Sequence, residues 1–365
     1  MEPLQNGLAA VSPCNSLPIR SYCGRWRLLA FACWNAASIA LICAVCVVQA
    51  TNSRADEPPT EAPNVDASAA SGPGSQHSFW EVSSRCLGVC TPRQGSCELP
   101  GFTVTRCAEG LWQPSSVNAL LEHNRATPAK RIVIYVHGNW MTHANARSRA
   151  RVVYSNLLKY AAEPVTFIAF SWPSEQQRGF ARDVFAKKDR TEIDAYYLAL
   201  LISSLQSEQS VGVLGFSFGG RVVAAALHMV GGGKVADRDI CQCPTDLCFR
   251  LSLYAPAFDR TALSASGTYC RALIRVESTV NLYNSADPVL RRFKYIDRSS
   301  KPIAAGFAGI LGAANLRPDT GDATRLVDTP RIVQYDCCNI GRTHYELDYQ
   351  RCSAMPIALK NVLGL

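Results

Sequence analysis

The sequence predicts an α/β domain built on a mostly parallel, doubly wound sheet that opens with an antiparallel strand pair. Three observations carry that expectation. Short continuous apolar runs, rich in β-branched and aromatic residues, recur from Arg131 onward, as strands buried on both faces of a parallel sheet require. Helical patterns lie between most of them, which is the alternation of a doubly wound fold. A Gly-x-Ser-x-Gly turn joins one of those runs to a helix rich in Ala and Gly.

The chain divides into four parts before the sheet is considered. Residues 1–27 read as a cytoplasmic segment. Leu28 to Ala50 then carry no charge over 23 positions, and at ~1.5 Å per helical residue they match the ~30 Å hydrocarbon core of a bilayer. Arg20, Arg25 and Arg27 precede the run and Glu2 is the only acid before Asp56, so the bias of positive charge leaves everything after Ala50 outside the cytoplasm. The length of the run favours a retained anchor, whereas Val48-Gln49-Ala50 resembles the small-residue site of a cleaved signal peptide. Residues 51–78 are dominated by Ala, Pro, Ser, Gly, Asp and Glu and read as a flexible linker. The folded domain is expected over 79–365.

Composition sets limits on partners. Apolar residues make up 48% of the 365, enough for a large core. The formal net charge of +8 comes without any dense Lys/Arg block or nucleic-acid-binding motif, so nucleic acid is not an expected partner. Sixteen cysteines are too many for an ordinary reduced cytosolic enzyme and agree with export. Eleven of them follow the apolar run, and disulfides whose pairing is not legible are expected there. Cys241-x-Cys243-x4-Cys248 has metal-like spacing but lacks a second paired motif and histidine partners, so no metal is expected.

Within the domain, Phe79–Ser84 and Phe102–Arg106 form the opening strand pair, amid Cys86, Cys90, Cys97 and Cys107. The later strands are Ile132–Val136, Val165–Phe170, Val211–Leu214, Leu251–Tyr254, Thr279–Tyr283 and Ile332–Tyr335. The clearest helix covers Glu192–Leu205, with Ile193, Tyr197, Leu200, Leu201 and Leu205 on one face, Thr191 as its cap and Asp194 at the capping-box position.

Chemistry concentrates at Gly215-Phe216-Ser217-Phe218-Gly219. A serine on a sharp turn between an apolar strand and the helix Phe218–Met229 is the arrangement of an exposed nucleophile, and the flanking glycines spare it steric clash. The helix N-terminus adds backbone N–H groups beneath a developing oxyanion. His137-Gly138-Asn139 ends the strand at Val136 and supplies the second donor, so the N–H groups of Asn139 and Phe218 are the expected oxyanion hole. His137 itself reads as structural. Of six histidines, His344 alone follows the last strand and is the expected general base, while His228 on the nucleophile helix reads as packed. Asp287, directly after Thr279–Tyr283, is the expected acid, with Asp259 one strand earlier as the alternative.

Together these residues resemble the α/β-hydrolase superfamily. The resemblance is narrower to a bacterial branch of hydrolases of unknown function, through Ser171-Trp172-Pro173-Ser174-Glu175, Lys188-Asp189-Arg190-Thr191, Leu227-His228-Met229-Val230-Gly231-Gly232-Gly233 and Asn284–Leu290. It covers Phe79 to the C-terminus. It implies the α/β-hydrolase fold, a triad of Ser217, Asp287 and His344, and no cofactor; it implies no substrate. The expected function is an extracytoplasmic serine hydrolase of small-molecule or lipid carboxylic esters, tethered to the membrane if the N-terminal helix is retained. The alternative is a membrane-tethered binding or scaffolding protein on an inactive hydrolase fold. Lys301–Ala323, apolar and glycine-bearing over Ile303–Leu311, reads either as a core-facing helix or as a lid.

Overall fold

The computed structural model describes residues 77–89, 97–126, 131–240, 245–296, 300–312 and 331–365. The expected segments 1–27 and 28–50, and the linker 51–78 apart from its last two residues, lie outside the described residues. Among the described residues no helix is long and apolar enough to cross a membrane.

Among the described residues there are nine strands: β1 Ser78–Ser83, β2 Thr103–Ala108, β3 Leu111–Ser115, β4 Arg131–Val136, β5 Val165–Ser171, β6 Val211–Phe216, β7 Phe249–Tyr254, β8 Val276–Tyr283 and β9 Arg331–Asp336. They form one sheet in the order β3-β2-β1-β5-β4-β6-β7-β8-β9. Every strand expected from an apolar run is there, often continued by a polar residue whose backbone still pairs. The pairings from β1 through β5, β4, β6, β7 and β8 to β9 are all parallel. Only β2 is antiparallel, to β1 on one side and β3 on the other. The opening pair therefore differs from expectation in one respect. Its first strand also joins the parallel sheet, with Phe79 opposite Phe167 and Val82 opposite Phe170. β3 is an addition to the expected strands; it contains Pro114, whose missing backbone donor is tolerated at the sheet edge.

The helix expected from Glu192 begins much earlier and runs Phe180–Ser204. Thr191 is inside it, not at its cap. The Thr191 hydroxyl donates back to the Lys188 carbonyl at 2.5 Å and accepts from Arg221 Nε at 3.1 Å. Asp194 pairs with Arg190 at 2.7 Å and accepts from Ser84 Oγ at 2.6 Å. A threonine and an aspartate three apart mark a helix start only when their side chains lack such interior partners.

The strand order matters for function. From β4 the chain goes to β5 on one side and then crosses to β6 on the other, so the crevice above the carboxyl ends of β4 and β6 is a topological switch point. The helix Phe218–Val230 rises from the end of β6 and is buried along nearly its whole length. Its start presses on β4. A Cβ on Gly219 would lie 2.2 Å from the Val136 carbonyl oxygen and 2.5 Å from that of His137. We therefore expect Gly219→Ala to destabilise the protein by about 3 kcal/mol or more, because backbone and not a pliant side chain must move. Gly101→Ala, where a Cβ meets nothing within 4 Å, should leave the urea midpoint unchanged.

Candidate active site

Ser217 sits between β6 and its helix with φ 51° and ψ −120°, a backbone conformation that costs a non-glycine residue roughly 1–3 kcal/mol. Neighbouring backbone holds it there. Its N–H donates to the Tyr254 carbonyl at 3.1 Å, and its carbonyl accepts from Gly220 at 3.0 Å and Ala257 at 3.0 Å. The turn is thus tied to the end of β7 as well as to its own helix, and the hydroxyl points out of the turn at the sheet's carboxyl edge.

That hydroxyl lies 2.9 Å from His344 Nε2. On the opposite side of the ring, His344 Nδ1 lies 2.6 Å from Asp287 Oδ2. Asp287 has no solvent exposure, while the His344 side chain is 15% exposed, so the ring bridges a buried carboxylate and a hydroxyl near the surface. Asp287 is held by donors on both oxygens: Val289 and Leu290 N–H on Oδ1 at 2.9 and 3.0 Å, and the Tyr349 hydroxyl on Oδ2 at 3.2 Å. Phe216 packs its ring against the imidazole, 5.4 Å between centroids. The structure therefore brings together the three residues expected from the sequence. It adds Tyr349, which no local pattern marks because its partner Asp287 is distant along the chain, and gives Phe216, already inside the nucleophile turn, a contact with His344 that the motif does not announce.

The loop after β4 faces this group. Gly138 is required there: a Cβ would lie 2.7 Å from the Phe216 ring and 3.3 Å from Ser217 Cβ. Asn139 follows Gly138 in this loop and Phe218 follows Ser217 in the turn, and among the described residues neither N–H has a backbone partner. Trp140 takes φ 58° and is fixed through its indole N–H on Asp183 Oδ2 at 2.5 Å.

His137 is structural, as its neighbours show. Its ring is stacked on Trp172 at 5.8 Å, and its Nδ1–H donates to the Gly138 carbonyl at 2.8 Å. Its Nε2 accepts from Trp172 N–H at 3.2 Å and Arg85 Nη2 at 3.3 Å. The Trp172 indole returns a bond to the His137 carbonyl at 2.8 Å. The Trp-Pro-Ser-Glu stretch is therefore a clamp on the β4 loop, with Ser174 on Met141 and Glu175 paired with Arg85. Arg85 also reaches the Met141 carbonyl at 3.2 Å and Ser171 Oγ at 2.8 Å.

The remaining candidates separate from the site. His228 accepts from Arg271 N–H at 3.1 Å and is wrapped by Gly233, where a Cβ would lie 2.1 Å from its ring. His77, His123 and His143 bond to Val165, Ser78 and Glu81 respectively. Asp259 does not reach His344. It binds the Thr261 N–H and hydroxyl and, at 3.2 Å, the Ile303 N–H. That last bond helps to pin the segment read as core helix or lid. Ala305–Ala308 is only a single helical turn. Around it, Ala305 N–H bonds the Phe258 carbonyl, Gly306 N–H that of Pro256, and Asn284 N–H the Gly306 carbonyl. Residues 301–312 form no full core helix; these bonds seat them beside the Asp287 loop, and 313–323 lie outside the described residues. Among the described residues no cluster of His, Cys, Asp or Glu is arranged to hold a metal ion; Cys241 and Cys243 lie outside them.

His137 gives the site a pH signature. Burial, reinforced by the charge of Arg85, lowers it to about 3. The unfolded chain, at about 6.5, takes up a proton first, so the stability from neutral His137 is complete above pH 6.5 and is lost as pH falls toward 3. We expect Tm to drop over that window by the equivalent of up to about 4 kcal/mol, and His137→Asn to be less stable at pH 7 but flatter between pH 6.5 and 4. Thermal melts of both proteins across that range check this.

Residues 113–290 match a family model described as "Alpha/beta hydrolase of unknown function (DUF900)". Among solved structures, the chain is similar to a candidate cell surface hydrolase from Lactobacillus plantarum WCFS1, at 12% identity and a TM-score of 0.37, covering 64% of this chain and 92% of that one. It is also similar to an inhibited esterase B from Lactobacillus rhamnosis, at 11% identity and a TM-score of 0.36, covering 90% and 93%. No curated protein matches it. The nine-stranded, mostly parallel sheet is that of the α/β-hydrolase fold, and residues 113–290 within it are similar to a hydrolase family whose function is unknown.

Proposed function

We propose that the protein is a serine hydrolase of carboxylic esters acting outside the cytoplasm. The observation that carries this reading is the unbroken chain from Ser217 Oγ through His344 to Asp287, at 2.9 and 2.6 Å. His344 Nε2 takes the proton as Ser217 Oγ attacks the ester carbonyl, and Asp287 holds the Nδ1–H tautomer and stabilises the imidazolium. The N–H groups of Asn139 and Phe218 receive the oxyanion. His344 then protonates the departing alcohol, and a water activated by the same nitrogen hydrolyses the acyl-enzyme.

Two further features support the finer parts of the reading. Ile303 and Leu311 are about half exposed on the segment pinned beside the Asp287 loop, which suits an acyl chain. The apolar run 28–50 and a disulfide at Cys97 suit an oxidising compartment reached by export.

Ser217→Ala should abolish hydrolysis of short p-nitrophenyl esters and labelling by a fluorophosphonate probe, with Tm unchanged. Turnover equal to wild type would overturn the assignment. Asp287→Asn should lower kcat by roughly 10³–10⁴-fold, since an amide presents the wrong partner to Nδ1–H. Asp259→Asn should leave kcat nearly intact and act on stability alone; the reverse order of damage would move the acid to Asp259.

A further inference from the structure

The loop that carries His344 is bracketed by two buried cysteines. Cys337 follows β9 directly, its N–H donating to the Tyr283 carbonyl at 2.7 Å. Cys352 follows the short helix Glu346–Gln350, its N–H on the Tyr349 carbonyl at 3.0 Å. The two residues are 1% and 4% exposed, and their sulfurs lie 2.8 Å apart. Backbone anchoring on both sides leaves only a small side-chain movement to the roughly 2.05 Å of a bond. The Cys352 thiol is pulled down to about 6 by the neighbouring Cys337 thiol and by the N–H groups of Ala354 and Met355, against the effect of burial. Elsewhere in the chain Cys97 is already disulfide-bonded.

We propose that Cys337 and Cys352 form a disulfide that clasps residues 338–351 and so positions His344 between Asp287 and Ser217. The bond stands independently of the proposed hydrolase activity; its consequence for His344 as a base rests on that reading. The chemistry is thiol–disulfide exchange with an external small-molecule or protein disulfide. The Cys352 thiolate attacks one of its sulfurs and expels the first thiol. Cys337 then attacks the Cys352 sulfur of the mixed disulfide and expels the second. The two cysteines lose two electrons and two protons, which the external disulfide takes up as two thiols. Because both sulfurs are buried, exchange belongs to folding or to opening of this loop. Cys338 is exposed and adjacent, so it is the competitor that a test must separate.

The full chain, expressed into an oxidising compartment, is denatured with iodoacetamide and no reductant, then digested with trypsin. Peptides Ile332–Arg342 and Cys352–Lys360 are expected as one linked species that reductant splits, in wild type and in Cys338→Ser alike. Alkylation of both Cys337 and Cys352, or loss of the link in Cys338→Ser, would overturn the bond. Hydrogen exchange then tests the clasp. Below Tm, reduction or the double variant Cys337→Ser/Cys352→Ser should speed exchange of amides 339–351 by about tenfold or more with β6 unchanged, and lower Tm by on the order of 5 °C. Unchanged exchange in 339–351 would overturn the positioning role. A linked peptide and faster exchange, together with an active Ser217→Ala, would sink the hydrolase reading alone and leave the clasp standing.

Discussion

Small residues let the backbone of the Ser217 turn come into contact with the strand ends on either side, and the geometry of the sheet's carboxyl edge follows from that approach. Gly219 leaves room for the carbonyls of Val136 and His137, Gly215 for Gly220 of the same turn, and Gly138 for the Phe216 ring. On the other flank, Gly220 faces Pro256 just beyond β7, where a Cβ would lie 3.1 Å away. A strained residue persists only where its surroundings over-determine it. Here the restraint is supplied by the bonds from Ser217 to Tyr254 and from Ala257 to Ser217, so strain on one residue is balanced by the fixed end of β7.

Two separate polar anchors, one reaching the surface at Glu175 and one fully buried at Glu346, hold the groups that surround Ser217. On one side, Arg85, Glu175, Trp172 and His137 fix the loop after β4. On the other, Glu346, two residues beyond His344, accepts from the Tyr135 hydroxyl at 2.6 Å and the Tyr254 hydroxyl at 2.8 Å. Its carboxyl is raised by complete burial, and the two phenols partly offset that penalty. Because Tyr135 lies on β4 and Tyr254 on β7, the His344 loop is moored to the same two strands that confine the serine. A buried polar network of this kind tolerates little displacement, since each lost bond leaves an unsatisfied group in a dry interior.

The parts legible in the sequence were those whose signal is local. Apolar runs gave the strands from β4 to β9, and the order serine, acid, histidine after β6, β8 and β9 singled out the three residues that the fold brings together. Legibility failed where a residue's partner is distant. Thr191 and Asp194 imitate a helix cap because Arg221, Arg190 and Ser84, which occupy them, come from their own helix or from elements far away. β3 carries no apolar run and includes Pro114, which is tolerated because β3 is an edge of the sheet among the described residues. Arg85, Tyr349 and the Cys337–Cys352 contact carry no motif, and only the folded chain shows what they touch.

Arg85 bears on where the working unit begins and ends. It reaches the β4 loop from the turn after β1, upstream of the residues 113–290 matched by the family model. His344, Tyr349 and Glu346 lie downstream of the same segment. A fragment cut to the matched borders would keep Ser217, Asp287, Asn139 and Phe218 yet lose the imidazole between the first two and the cation that braces the loop. The most recognisable stretch of this chain is thus narrower than the smallest piece able to assemble the site. Fusion, truncation or circular permutation has to respect the span from β1 to the helix Glu346–Gln350 that follows His344.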